Sequence, residues 1–271
     1  MKKKIISLCL VLCLAATAVI GGTLAYFTDT DVQKNTFTTG KVEIEQLERQ
    51  YDENGALETF DQTKTMVPAV GTEVCDDKTI DGHVTHYLDK DEMKNVQDKI
   101  VNVKNKSTVD IYAATLIAVE DTNDVSEHYK FIVGDTTANK GYWTSLRYNG
   151  ATSGNNIQIK DAEGTVYTVS IKIYDNEIAP NAYSPAALSQ VYMKPEATQD
   201  DVKDAGSTYD IHCLSLGVQA DGFDDAQSAI EAGFGFDVEN ISADMAKAIA
   251  AMFGEGFTAG YYTNGGFQAF N

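Results

Sequence analysis

Two histidines three residues apart, in Asp81-Gly-His-Val-Thr-His86, are the first residues whose types could do chemistry. Imidazole is the commonest protein ligand for a transition metal, which makes His83 and His86 weak candidates for a metal site. On a helix, a spacing of three places two side chains on one face. Gly82 and the β-branched Val84 and Thr85 disfavour a helix, so the pair is read as loop or strand histidines. No H-E-x-x-H motif accompanies them, and two nitrogen donors do not close a zinc site. The expectation is therefore no metal and no cofactor.

Other chemistry is scarcer still. Asp29-Thr-Asp31 begins like a calcium loop, but Gln33 stands at its fifth position and Lys34 where a glycine is required. Neither a G-x-S-x-G nucleophile elbow nor a P-loop is present. Cys75 and Cys213 lack an argued histidine and base, and can form one long-loop disulfide or remain two buried thiols. With 40 acidic residues in the chain, close carboxylate pairs are expected as solvated surface. These absences predict a protein that is not an enzyme.

Any such groups must be positioned by elements, and the first element is an export signal. Lys2, Lys3 and Lys4 precede an uncharged stretch from Ile5 to Gly22, which ends in the small-x-small exit Thr23-Leu24-Ala25. This pattern predicts a signal peptide over 1–25, cut between Ala25 and Tyr26, with a retained membrane anchor as the alternative. Contact with the membrane is then expected only before cleavage, and the mature chain is expected to be secreted. The formal net charge of −19 becomes −22 once the three leading lysines are removed. So acidic a surface repels nucleic acid, and none is expected as a partner.

Beyond Lys41, Val42 and Ile44 alternate with charged residues at the period of a half-buried strand. Similar runs recur at 98–104, 111–119, 128–133, 142–148, 156–160, 165–174, 189–193 and 207–219, separated by Gly, Asn and Asp turn chemistry. Asp161–Gly164 reads as a hairpin turn. Helices are few and late: Asp224 and Gln227 resemble a capping box, and Ser242 caps a stripe of Met245, Ile249 and Met252 that stops at Gly254. The pattern predicts a mostly β chain, an antiparallel jelly-roll-like β-sandwich with one or two short C-terminal helices. It forms a single domain over 26–271, with a polar surface insertion at about 52–99 that carries a short helix near 90–96. A Gly/aromatic tail over 254–271 forms a last hairpin turning at 264–266 or a loose adhesive end.

Gly21-Gly-Thr-Leu-Ala-Tyr-Phe27, Thr28-Asp-Thr-Asp31, Asn35-Thr-Phe-Thr-Thr-Gly40 and Lys41-Val-Glu-Ile44 together resemble the start of the TasA/camelysin family. These are secreted Gram-positive proteins processed by the dedicated signal peptidase SipW. Two further stretches, 101–112 and 210–223, are similar to the family's internal strands. The resemblance implies a jelly-roll subunit of biofilm matrix or surface fibre, which donates its new N-terminus to the open sheet of the next subunit. Tyr26, Phe27, Val32 and Phe37 are then the donor-strand anchors, and the partners are a second copy, a related matrix protein and the signal peptidase. The alternative for this segment is the first strand of its own domain. A monomeric adhesion module is the first alternative function, and a camelysin-type secreted metalloprotease the second.

Overall fold

A computed structural model describes residues 28–30, 42–133, 143–146, 157–198, 200–201, 209–237, 242–263 and 266–270. The signal segment, the cleavage pair Ala25 and Tyr26, and the anchors Phe27, Val32 and Phe37 lie outside these residues.

Two antiparallel sheets form the frame. In chain order the strands are β1 (Thr28–Thr30), β2 (Ile44–Tyr51), β3 (Leu57–Thr59), β4 (Val70–Gly71), β5 (Lys78–Ile80), β6 (His83–Thr85), β7 (Met93–Lys94), β8 (Gln97–Asn105) and β9 (Ile111–Glu120). They continue with β10 (Tyr129–Ile132), β11 (Trp143–Leu146), β12 (Ile157–Lys160), β13 (Val166–Ile178), β14 (Leu188–Met193), β15 (Ile211–Gln219), β16 (Thr258–Thr263) and β17 (Gly266–Ala269). The larger sheet runs β1-β15-β9-β13-β12-β16-β17, with β11 also on β13, and the smaller runs β10-β14-β8-β2-β3. The strands read from alternation are all present. The Asp161–Gly164 turn forms as expected, its Asp161 carboxylate accepting from the Glu163 and Thr165 amides.

Alternation along β9 shows how the layers stack. Ile111, Ala113 and Ile117 face Val101, Val103 and Leu188 of the smaller sheet. Tyr112, Ala114, Leu116 and Ala118 join the opposite cluster, which α1 (Ala226–Phe234) and α2 (Ala243–Phe253) cover. A strand buried on both faces needs apolar residues at every position, and β9 has nearly that composition. The order is thus small sheet, large sheet, helices; the mostly β frame with two late helices is as expected, and jelly-roll closure is not shown. Ser242 caps α2 through the Met245 amide, whereas Asp225 rather than Asp224 caps α1, accepting from Ser228. The sheets approach so closely at Gly217 that a Cβ there would stand 2.6 Å from Ile44 Cγ2.

Three expectations meet the structure at the chain's edges. Thr28–Thr30 pair antiparallel with β15 of their own chain, the alternative weighed for the N-terminal segment. The tail forms the β16–β17 hairpin and joins the large sheet through β12. The helix expected near 90–96 is absent: Met93 and Lys94 pair with β4, and Asn95 takes a left-handed φ of 66° while its side-chain Nδ2 donates to the Pro68 carbonyl. No helix among the described residues is long and apolar enough to cross a membrane.

Candidate metal centre

The polar stretch around the two histidines folds as a β-hairpin. Asp81 and Gly82 form its two-residue turn with φ of 50° and 87°, the positive values that an Asp-Gly type I′ turn requires. Ile80 pairs with His83, Thr79 with Val84 and Lys78 with Thr85. The ladder extends past the turn strands, since the Asp76 amide donates to the Tyr87 carbonyl at 2.7 Å and Cys75 bridges Leu88. That register sets Asp77 opposite His86. Cys75, two residues before Asp77, falls on the same face.

The inner face of the hairpin anchors it. Ile80, Thr85 and Tyr87 are buried, and Ile80 and Tyr87 pack on Ile100 and Ala186. The turn is clamped by Arg49 and Asn102, which both bond the Asp81 carboxylate. Its outgoing strand is tied to β14: Ser189 Oγ donates to the His86 carbonyl at 2.7 Å, and the Gln190 side-chain oxygen accepts from the Leu88 amide at 2.7 Å. Tyr87 OH donates to the Asp98 carboxylate, and burial foremost pushes this phenol's pKa far up.

On the outer face three donor atoms converge. Cys75 Sγ lies 2.8 Å from Asp77 Oδ1 and 3.4 Å from His86 Nδ1, and Nδ1 lies 3.0 Å from Asp77 Oδ1. Cys75 and Asp77 are exposed and His86 is half-buried, with all three ligand atoms within 4.8 Å of one another. A tetrahedral zinc with these donors sets ligand separations of about 3.4–3.6 Å, from Zn–S of about 2.3 Å and Zn–N or Zn–O of about 2.0–2.2 Å. The observed separations are shorter by at most about 0.8 Å, a gap that side-chain rotation closes. Thiolate, imidazole and carboxylate together suit zinc, and three protein donors leave a position open.

The same geometry speaks against a cysteine nucleophile. A Cys-His-Asp relay needs the thiol on one ring nitrogen and the carboxylate on the other. Here Nδ1 faces both groups. The hydrogen bond to Asp77, followed by partial burial and the neighbouring negative charge, holds the Cys75 thiol above its ordinary pKa. Burial works to raise the Asp77 carboxyl, but hydrogen bonds from Cys75 and His86 outweigh it and leave the pKa lowered. Glu73, two residues before Cys75, lies close enough to His86 to feel its charge. Hydrogen bonds from Lys130 and Tyr192 lower its pKa, against partial burial, and the charges of Lys130 and His86 add to the lowering.

The weak candidates His83 and His86 therefore separate. An odd spacing on a strand sends side chains to opposite faces, and His83 turns inward, its Nε2 lying 2.7 Å from the Tyr183 carbonyl oxygen. Of the two, His86 alone joins the donor set. Cys75 and Cys213 are both free thiols, so the disulfide weighed between them is not formed. Burial pushes the Cys213 thiol up to about 12. It lines a separate cavity of about 540 Å³, in which Lys99 is paired with Glu48. Asp77 was missing from the sequence reading, and the signal for it was the Asp81-Gly82 dipeptide. Counting pairs back from that turn puts Asp77 opposite His86.

Residues 1–50 match the camelysin metallo-endopeptidase family. The match ends within β2 and does not reach the 75–86 hairpin. No curated protein and no solved structure matches the chain. The match of residues 1–50 to a peptidase family and a donor set able to hold a metal ion together overturn the expectation of a chain without enzymatic activity.

Proposed function

We propose that this protein is a secreted, metal-dependent hydrolase of the camelysin type, which cleaves peptide bonds at the outer face of its hairpin. The convergence of Cys75, Asp77 and His86 on one exposed point carries the reading. Within the chain, Thr28–Thr30 pair with β15, and β16 of the tail pairs with β12.

Zinc held by these donors supplies Lewis-acid polarisation of a carbonyl and an activated water. The chain's own residues supply the rest. Cys75 gives up its proton on ligation, while Asp77 is already ionised. Glu73, kept ionised by Lys130 at 2.6 and 2.7 Å and by the Tyr192 hydroxyl, offers a carboxylate oxygen to accept a proton. Lys130 places a fixed positive charge beside that carboxylate, suited to negative charge developing on a substrate oxygen. Ser189 and Gln190 hold the His86–Leu88 backbone in place.

The test is casein hydrolysis by the zinc-loaded chain, with and without chelator, beside His86→Ala and Glu73→Gln. Expected are chelator-sensitive cleavage, loss of both zinc and activity in His86→Ala, and retained zinc with about 10²-fold slower cleavage in Glu73→Gln. A zinc-loaded chain that leaves casein intact refutes the reading.

A further inference from the structure

The hairpin that carries the donor set has one closed edge and one open edge. The Asp76 amide donates to the Tyr87 carbonyl and the Asp89 amide to the Val74 carbonyl, so the even-numbered residues of the first strand turn their main-chain groups inward. Cys75, Asp77 and Thr79 turn theirs outward. On the second strand Ser189 takes the His86 carbonyl, and Gln190 takes both the amide and the carbonyl of Leu88. On the first strand the Asp77 amide folds back to the Cys75 sulfur. The amide and carbonyl of Thr79 have no main-chain partner outside the hairpin among the described residues. A cleft of about 530 Å³, lined by Thr79, Lys78, Tyr51 and Gly55 among others, adjoins this point.

We infer that the open edge at Thr79 binds an extended peptide as an added strand, and that this strand presents the substrate to Cys75, Asp77 and His86. The inference deepens the hydrolase reading and rests on it for the word substrate. An edge of alternating unpaired N–H and C=O groups is complemented by a main chain rather than by a side chain or a small molecule. Thr79 and Asp77 share a face and stand about 6.6–6.8 Å apart along the strand. A peptide residue paired at Thr79 therefore lays the chain two residues further on across the donor atoms. Charge selects among peptides. Lys78 and Lys90 of the cleft are already paired with Asp76 and Asp98, the Glu53 carboxylate stands at its wall, and the whole chain carries −19. Extended segments with lysine or arginine at alternate positions fit this surface.

The experiment separates edge binding from catalysis by keeping the full chain free of zinc with EDTA. A fluorescent decapeptide alternating valine and lysine is titrated by anisotropy, beside the same sequence N-methylated at every internal amide. Methylation preserves charge and removes the main-chain donors. The expected result is binding of the unmodified peptide and at least about tenfold weaker binding of the methylated one, the loss set by one or two hydrogen bonds. Thr79→Pro, which deletes the outward N–H, is expected to lose a similar factor while its zinc affinity stays unchanged, and Thr79→Val is expected to match the parent. Equal affinity for the two peptides overturns the inference, as does undiminished binding by Thr79→Pro. Edge binding that persists in His86→Ala, together with absent casein hydrolysis in the parent, sinks the hydrolase reading and leaves the peptide site standing.

Discussion

Zinc should bind this chain with a pH dependence set by Cys75. In the zinc-free chain the thiol is held protonated by its hydrogen bond to Asp77, so its pKa lies above the ordinary value. Ligation requires the thiolate, so binding releases that proton. Asp77, with its lowered pKa, is ionised throughout and releases none. Below the thiol's raised pKa, each unit of pH therefore costs about tenfold in zinc affinity, about 1.4 kcal/mol. The affinity climbs with pH and levels off only once the free thiol ionises unaided. At free zinc of about 100 times the dissociation constant, linkage stabilises the folded chain by about 2.7 kcal/mol. For a chain of this size that is a rise in Tm of about 5–11 °C. Scanning calorimetry with zinc and with EDTA reads the shift. Titration calorimetry at pH 7 and pH 8, in two buffers of different ionisation enthalpy, reads the proton count, expected near one per zinc. A Tm shift that survives both Cys75→Ser and His86→Ala refutes the site. A pH-independent affinity without proton release refutes the role assigned to Cys75.

Two further outcomes test the frame. Gly217→Ala drives a methyl group to within 2.6 Å of Ile44 Cγ2, and the overpacking is expected to cost about 1–3 kcal/mol, read as a lower urea midpoint with unchanged slope. Glu120 is buried and its carboxyl pKa is raised, first by desolvation. A raised carboxyl carries no penalty while protonated in both states; the fold loses stability as pH rises from the unfolded towards the folded value, and the full penalty stands above it. Glu120→Gln keeps an acceptor for the Asp210 amide, which now bonds Glu120 Oε2 at 3.1 Å. It is expected to be more stable than the parent at pH 7, with the gain gone at pH 3, measured by urea unfolding at both.

The fold was legible where local pattern and tertiary burial agree. The long strands β8, β9, β13 and β15 carry unbroken apolar or alternating runs, and the Asp161 turn and the Ser242 cap depend only on neighbours in sequence. The 52–99 stretch was not legible. Its strands are two or three residues long, too short for a period to emerge, and Ala69, Leu88, Met93 and Val96 are buried singly among charged residues. The stretch reads as surface but packs, because each apolar residue answers a partner far away in sequence. The third layer was not legible for a related reason. Both sheets have the right strands, but the outer face of the large one is closed by α1 and α2, and that choice depends on contacts that no strand displays alone.

Strand parity explains the candidate site as well as its omission. A spacing of three joins side chains on a helix and separates them on a strand, which makes the His83 and His86 pair misleading and Asp77 invisible until the hairpin register is known. The same parity divides the labour. Ile80 and Tyr87 face inward, and burying Ile80 alone stabilises by about 1.5–3 kcal/mol. Cys75, Asp77 and His86 face outward and contribute little to holding the hairpin, which Arg49, Asn102, Ser189 and Gln190 already fix. A surface that can lose its side chains without unfolding can carry ligands chosen for chemistry rather than for packing. His86→Ala should therefore abolish zinc binding while leaving the Tm of the zinc-free chain in place, whereas Ile80→Ala should lower that Tm. If both substitutions lower it alike, the three outward residues are bracing the hairpin, and their convergence is packing rather than a site.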